Sequence, residues 1–278
     1  MANDMIKDNI KLGSRLHTIA SFVPIGSRLG DIGTDHAYLP VYLIHKGIIK
    51  SAIGVDIHKG PYESALETVR MYGAGQRIAI RQGNGLIPLK SGEIDTLVIA
   101  GMGGTTILEI LLSNPLVLAE VSKAILQPQG AEARVREELT SQGWRIQDEC
   151  LVEEENRVYS IIVFTRSEGL NHEEIENRIR SLGNDLRIYI SQQKLDINDE
   201  LSNETVDSFI QKYVWILGPI ILQNKDKYLH SIIKDNMITL GNIVQEMTKT
   251  SRREIKAKAK LVEQERKLLE VMQRWLFQ

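Results

Sequence analysis

The sequence predicts an α/β protein: a mostly parallel, seven-stranded sheet that ends in an antiparallel hairpin and is followed by a helical domain. Between residues 28 and 166, apolar strand-like runs alternate with helix-like segments, whereas only helix-like segments follow Gly169. Such alternation is typical of a parallel sheet that helices cover on both faces. The 278 residues suffice for one full core and an appended unit. We therefore expect two domains, 1–168 and 169–278.

The apolar pattern places the elements of the first domain. One apolar face predicts a helix over residues 5–22, which ends before Pro24. The strand-like runs are residues 28–33, 51–56, 77–82, 94–100 and 122–127. Two more runs, 144–151 and 158–165, are joined by the acidic turn 153–156, and no helix fits between them. They predict an antiparallel hairpin that closes the sheet.

The second domain has a different pattern, because its segments are helix-like and contain few glycines or prolines. These segments are residues 172–194, 203–217, 225–249 and 251–277. The last two are long and amphipathic, which predicts an antiparallel coiled-coil hairpin over about 225–277. Residues 223–278 carry 12 basic and 7 acidic side chains. Such an excess can hold phosphates, although a solvated helix surface explains it at least as well.

Composition excludes several classes of protein. Hydrophobic residues make up 42% and charged residues 25% of the chain, as in ordinary globular proteins. A single cysteine, Cys150, excludes an internal disulfide framework and fits a cytoplasmic location. Six scattered histidines form no pattern of metal ligands, so we expect no metal. No apolar run is long enough to span a membrane, so no membrane partner is expected either.

The ends of the first two strands carry the most specific signal. Gly33 allows a tight turn beneath a polar ligand, with Asp31 beside it, and Asp56 can accept two ribose hydroxyls. One tight glycine and two carboxylates do not suit a pyrophosphate. A ligand with a ribose and a cationic amino-acid tail fits better, and S-adenosylmethionine is that ligand. The alternative is a plain glycine turn in which Asp35 caps a helix.

The other strand ends add groups that a nucleotide ligand can use. Ile57 can cover an adenine face, and Asn84, beside Gly83, offers an amide to the adenine edge. The stretch Ala100-Gly101-Met102-Gly103 lets the backbone approach a reacting centre, and Gln127-Pro128-Gln129 ends the fifth strand. Ligands of open α/β sheets bind at the carboxyl ends of the strands, so all of these stretches fall at one edge. By fold-level analogy, the closing hairpin favours a methyltransferase over a dinucleotide-binding domain.

Several strings occur in a characteristic order: Ser14-Arg15-Leu16, Asp31-Ile32-Gly33-Thr34-Asp35-His36-Ala37-Tyr38-Leu39-Pro40, Gly60-Pro61-Tyr62-Glu63-Ser64-Ala65, Ile99-Ala100-Gly101-Met102-Gly103-Gly104, Leu126-Gln127-Pro128 and Leu217-Gly218-Pro219. Over nearly its whole length the chain resembles the bacterial tRNA (adenine-N1) methyltransferase family of the TrmK type. The resemblance implies a class I (Rossmann-like) methyltransferase domain, a helical coiled-coil domain, and tRNA adenine 22 as the substrate. It also implies that Asp31, Gly33, Asp56, Asn84 and the 101–104 loop line an S-adenosylmethionine pocket. This chain has Asn84, Gln129 and Asp56 where the family often has Asp, Asn and Glu.

These observations lead to a hypothesis of direct methyl transfer to adenine N1. Because neutral N1 carries a free lone pair, positioning and charge stabilisation suffice without a strong base. We expect Asp31, Asp35 and His36 to serve these two purposes. We expect Tyr38, Gln127 and Pro128 to contact the tRNA base. We expect Lys11, Arg15 and the basic tail to contact phosphates. The basic tail comprises Arg252, Arg253, Lys256, Lys258 and Lys260.

Three other functions remain open at this stage. The chain could methylate another substrate, or it could be a non-catalytic RNA-binding or interaction protein that uses its helical hairpin. An intact cofactor loop argues against a non-catalytic protein. A dinucleotide-dependent oxidoreductase is disfavoured because the glycine triplet of that class is missing.

Overall fold

The computed structural model describes residues 10–193, 202–249 and 252–278. The chain forms two compact units that divide between Asn171 and His172. This division lies three residues beyond the expected end at 168, because the chain after the last strand still pairs with the sheet. Leu170 and Ile146 exchange two backbone N–H···O hydrogen bonds of 2.9 Å each.

A single seven-stranded sheet forms the centre of the first unit, with the order β3-β2-β1-β4-β5-β7-β6. The strands are β1 Arg28–Ile32, β2 Ser51–Asp56, β3 Ile78–Gln82, β4 Thr96–Met102, β5 Lys123–Pro128, β6 Arg145–Glu154 and β7 Arg157–Thr165. Strands β1 to β5 pair in parallel, and β7 is antiparallel to both β5 and β6. The predicted fold class is therefore confirmed. Since β6 runs parallel to the first five strands, its carboxyl end lies at the same edge of the sheet as theirs.

Within residues 10–171, six helices accompany this sheet: α1 Ser14–Phe22, α2 Tyr38–His45, α3 Lys59–Met71, α4 Gly104–Leu112, α5 Pro115–Ala119 and α6 Glu132–Ser141. Helix α1 begins at Ser14, so the prediction of a helix from residue 5 is wrong for residues 10–13, while residues 5–9 lie outside the described part. Glu154 explains the late start, because its Oε1 accepts a hydrogen bond of 3.1 Å from Arg15 N. A Cβ on Gly13 would lie 2.3 Å from the same oxygen.

The closing hairpin is tighter than the sequence predicts. Its turn consists of Glu155 and Asn156, both with a positive φ (51° and 61°), as two-residue hairpin turns of type I′ require. Glu154 belongs to β6 and pairs with Arg157, so the acidic residues of the predicted turn 153–156 are divided between strand and turn.

The core of the first unit encloses an ion pair. Arg136 Nε on α6 lies 2.5 Å from Glu149 Oε1 on β6, and neither side chain is exposed to solvent. Arg136 Nη2 also donates to Ser160 Oγ on β7 at 3.1 Å. The pair thus fastens α6 to the hairpin at a place where most helices present only apolar side chains to a sheet.

The second unit consists of helices in all of its described ranges: α7 His172–Gln192, α8 Asn203–Leu217, α9 Pro219–Asn224, α10 Leu229–Thr248 and α11 Arg253–Leu276. Helices α10 and α11 pack antiparallel, because His230 near the start of α10 contacts Gln273 near the end of α11. Gly241, further along α10, lies close to Arg266. No helix within the described ranges is long and apolar enough to cross a membrane.

Candidate active site

A cavity of about 660 Å³ opens at the carboxyl edge of the sheet, beside the ends of β1, β2 and β4 and the loop after β3. The predicted site residues that line it are Arg15, Asp31, Gly33, Asp35, His36, Tyr38, Asp56, Ile57, Gly83, Asn84, Ala100, Gly101 and Met102. Its volume lies in the range typical of pockets for small ligands. The structure therefore brings together at one cavity the residues that follow four different strands.

The end of β1 buries a carboxyl group. Asp31 is almost fully buried, and Thr34 Oγ1 donates a hydrogen bond of 2.6 Å to its Oδ2. Burial raises the pKa of Asp31 to about 6, the hydrogen bond from Thr34 opposes this shift, and the nearby charge of Asp56 adds to it. Gly33 has φ +75°, and a Cβ there would lie 2.1 Å from the Met102 methyl group. The turn thus favours glycine for its conformation, while the end of the Met102 side chain fills the space that a Cβ would take.

Asp56 at the end of β2 is held by two backbone amides. Its Oδ1 accepts from His58 N at 3.0 Å and its Oδ2 from Asp35 N at 3.3 Å. Asp35 itself has φ +50° and does not cap the following helix, whose N-cap is Ala37. The Asp35 backbone therefore orients a carboxylate that faces the cavity, while the Asp35 side chain is exposed.

An arginine–glutamate pair holds the loop that carries Asn84. Arg81 donates to both carboxylate oxygens of Glu93 (2.6 and 2.8 Å) and to Pro88 O (2.8 Å). The hydrogen bond from Arg81 lowers the pKa of Glu93 to about 2. Gly83 N also donates to Asp56 O at 2.9 Å. Asn84 is thereby fixed beside the end of β2.

Four of the predicted site residues do not line the cavity. Gly103 is the N-cap of α4 and directly follows Met102, which lines the cavity. Lys11 is exposed and does not line the cavity. Gln127 is fully buried, with its oxygen accepting from Gly101 N at 3.1 Å and from Arg15 Nη1 at 2.9 Å. Gln127 Nε2 donates to Pro128 O at 2.9 Å. The amide therefore faces protein groups, and neither Gln127 nor Pro128 is presented to a substrate base.

His36 and Tyr38 form an aromatic pair at the exposed side of the cavity. Their rings are stacked, with centroids 5.3 Å apart and planes inclined by 13°. Tyr38 is 44% exposed, which leaves ring surface open to a ligand. Aromatic faces of this kind stack readily on nucleobases.

Comparison with known proteins agrees with this geometry. The methyltransferase-domain family matches residues 12–162, which is more than half of the chain. The chain belongs to this family. A curated relative, the tRNA (adenine(22)-N(1))-methyltransferase of Bacillus subtilis (strain 168), is 38% identical over 156 residues, which are 56% of this chain and 66% of that protein. The aligned segment thus spans just under two thirds of that relative.

Solved structures resemble this methyltransferase over nearly its whole length. The B. subtilis M1A22 tRNA methyltransferase TrmK is 27% identical, with a TM-score of 0.72 and coverage of 95% of this chain and 100% of the other. Streptococcus pneumoniae Sp1610, a putative tRNA (m1A22) methyltransferase in complex with S-adenosyl-L-methionine, is 28% identical, with a TM-score of 0.66 and coverage of 90% and 97%.

The groups around the methyltransferase cavity suit S-adenosylmethionine. Carboxylates at two neighbouring strand ends match a ligand with a cationic group and a pair of hydroxyls. Among the described residues, no group of three or more His, Cys, Asp and Glu side chains is placed to hold a metal ion.

Sequence reasoning missed one wall of this cavity. The residues are Leu16 on α1 and Thr106, Glu109, Ile110 and Ser113 on or just after α4. Thr34, the partner of Asp31, was also not assigned a role. The residues of α4 recur at intervals of three and four, so they share one helix face. The same spacing is visible in the sequence directly after the glycine turn, and it could have assigned these residues to the cavity wall.

Proposed function

We propose that this methyltransferase transfers the methyl group of S-adenosylmethionine to N1 of adenine 22 in tRNA. The observation that carries the proposal is the shared cavity, with Asp31 and Asp56 inside it and the His36–Tyr38 stack at its exposed side. The reaction named for the B. subtilis relative supports the choice of substrate. A cytoplasmic location belongs to the same proposal.

The chain's own residues would hold the cofactor at three points. Asp31 would bind the ammonium group, Asp56 the two ribose hydroxyls and Asn84 the adenine edge. When bound, S-adenosylmethionine supplies an electrophilic methyl group on a sulfonium centre. Ile57, which is exposed, would cover one face of the cofactor adenine.

The substrate side requires positioning rather than a strong base. Adenine N1 lies on the Watson–Crick edge, so the base must leave its stack before it can enter the cavity. The His36–Tyr38 stack would support the extruded base. Asp35, at the lip, would stabilise the positive charge that develops on the base during transfer. Both roles are electrostatic or geometric and require no proton abstraction.

Nucleoside analysis by mass spectrometry tests the proposal. Unmodified tRNA is incubated with the protein and S-adenosylmethionine, and a matched transcript carries guanine at position 22. We expect 1-methyladenosine in the first transcript alone. Methylation of both transcripts would mean another target nucleoside. If cofactor binds and neither transcript is methylated, the chain acts on another substrate or only binds RNA.

Replacing Asp31 with asparagine should change the pH dependence of cofactor affinity. The wild-type carboxyl has a pKa of about 6, and only its ionised form attracts an ammonium group. Wild-type affinity should therefore rise between pH 5 and 7, by up to about tenfold per pH unit below the pKa. The Asp31→Asn variant should bind about tenfold more weakly at pH 7, without this rise. Isothermal titration calorimetry measures both quantities.

Asp35→Asn serves as the matched control, because it changes an exposed carboxyl next to the same turn. It should keep the rise in affinity between pH 5 and 7. A wild-type affinity that stays constant over this range would contradict the assignment of Asp31.

The basic tail offers a second prediction. Lys256 and Lys260 lie one helical turn apart on α11 and are exposed. Replacing both with alanine should weaken tRNA binding and reduce the slope of log affinity against log salt concentration by about 1 to 2, because each phosphate contact contributes roughly one unit. Fluorescence anisotropy across a salt series measures this slope.

The double variant Lys227→Ala/Lys234→Ala removes the same charge from another part of the second unit. It should retain the wild-type slope. If both double variants keep the wild-type slope, the tail does not contact phosphates; if both lower it equally, the effect is not specific to the tail.

A further inference from the structure

An extra residue interrupts the pairing of β4 with β5 beside the cavity. Ala100 pairs with Gln127 and Met102 with Pro128, so Gly101 is inserted as a β-bulge. Its φ of +78° turns the chain at this point. The ladder offers no backbone partner to such a residue. The Gln127 carboxamide replaces that partner, because its oxygen accepts from Gly101 N at 3.1 Å.

The orientation of the Gln127 amide is fixed at both ends. Its oxygen also accepts from Arg15 Nη1 at 2.9 Å, and its nitrogen donates to Pro128 O at 2.9 Å. Since an arginine only donates and a carbonyl only accepts, the amide cannot be reversed without losing both hydrogen bonds. Gln127 is fully buried, so water cannot replace these partners.

Arg15 is held in turn by Glu154 at the end of β6. One carboxylate oxygen accepts from Arg15 N at 3.1 Å, and the other lies 3.3 Å from Arg15 Nε. The guanidinium also lies over the Tyr159 ring, 5.6 Å from its centroid. These contacts restrict both the backbone and the side chain of Arg15, which itself lines the cavity.

We propose that Glu154, Arg15 and Gln127 form a positioning relay that holds the Gly101 bulge as the wall of the site during methyl transfer. The relay replaces the expected role of Arg15 as a phosphate contact. None of its members contacts the carboxylates of Asp31 or Asp56. Its loss should therefore slow transfer more than it weakens cofactor binding. The prediction of slower transfer rests on the proposed function. The prediction that these three residues hold the Gly101 bulge does not.

Hydrogen exchange in the ligand-free protein tests the structural part. The exchange of the Gly101 amide is compared in the wild type, Arg15→Ala, Glu154→Gln and Gln127→Ala, and melting temperatures show whether each variant is folded. We expect Arg15→Ala and Gln127→Ala to accelerate exchange at Gly101 at least about tenfold. Glu154→Gln keeps one carbonyl oxygen for Arg15 and should have a smaller effect. If Gln127→Ala does not fold, Arg15→Ala decides the outcome.

Arg28→Ala is the matched control. Arg28 N and Nε contact the carboxylate of Asp95 at 3.0 and 3.1 Å, in the same arrangement as Arg15 and Glu154. This pair lies at the opposite edge of the sheet. The control should leave Gly101 exchange and turnover as in the wild type. Equal exchange in Arg15→Ala and Arg28→Ala would overturn the relay.

Kinetics then separate positioning from tRNA binding. Arg15→Ala should lower kcat by about 10- to 100-fold, with a cofactor Kd within about threefold of the wild type. The double variant Arg15→Ala/Glu154→Gln should be no slower than Arg15→Ala, because the Glu154 charge acts through the Arg15 side chain, while the glutamine oxygen can still accept from the backbone N–H of residue 15. An unchanged kcat with a raised, salt-dependent KM for tRNA would overturn the proposal and support a phosphate contact. If the wild type does not methylate tRNA, the proposed function fails and the exchange experiment still decides the relay.

Discussion

Replacing Arg136 with methionine is expected to lower the free energy of unfolding by about 3–5 kcal/mol. The substitution keeps most of the side-chain volume but leaves the Glu149 carboxylate buried without the guanidinium that lies 2.5 Å away. Burial of an uncompensated charge is far more costly than loss of the attraction itself. Urea denaturation of the wild type and the variant measures the difference.

A surface pair on the same helix provides the control. Arg134 Nε lies 2.5 Å from Glu138 Oε1, but both side chains are substantially exposed. Arg134→Met should therefore cost less than about 1 kcal/mol. The double variant Arg136→Met/Glu149→Leu should regain most of the stability that Arg136→Met loses, because no charge remains buried. If Arg136→Met and the double variant lose the same free energy of unfolding, the loss comes from altered packing and not from the buried charge.

Replacing Asp56 with alanine is expected to weaken S-adenosylmethionine binding by about 100- to 10,000-fold. Two hydrogen bonds to a charged acceptor contribute roughly 1.5–3 kcal/mol each, which matches a loss of this size. The substitution also releases Asp35 N and His58 N, which the carboxylate holds at 3.3 and 3.0 Å. Calorimetric titration with cofactor in the absence of tRNA measures the affinity.

Asp95→Ala is a suitable comparison, since Asp95 also accepts a backbone N–H, that of Arg28 at 3.0 Å, at the far edge of the sheet. Its cofactor affinity should stay within about twofold of the wild type. Asp56→Asn keeps one oxygen acceptor and should bind with intermediate affinity. If Asp56→Ala binds as tightly as Asp95→Ala, Asp56 does not hold the ribose.

Periodicity and strand-end chemistry predicted the sheet and most of the cavity wall. Alternating apolar runs are set by local pattern, so the seven strands were accessible from the sequence. Residues that directly follow parallel strands share one edge by topology. For this reason the predicted positions of Asp31, Asp56 and Asn84 at one site agree with the structure.

Features that depend on distant partners were not accessible. Arg136 lies on the same helix face as Val135 and Leu139, but an arginine is rarely buried, so residue type alone assigns it to solvent. Arg15 and Gln127 were expected to face RNA, because a single sequence does not show that each is held by the other. Glu154 was read as part of an acidic turn. Its partner lies 139 residues away, beyond the reach of any local pattern.

That separation has a consequence for the newly synthesised chain. Helix α1 packs largely on β6 and β7, so it leaves the ribosome long before its docking surface exists. At about 5–20 residues per second, the delay between Arg15 and Glu154 is roughly 7 to 28 s. Helix α1 can therefore dock only after the hairpin of β6 and β7 has been made, and a nascent chain that ends before residue 154 lacks the partner of Arg15.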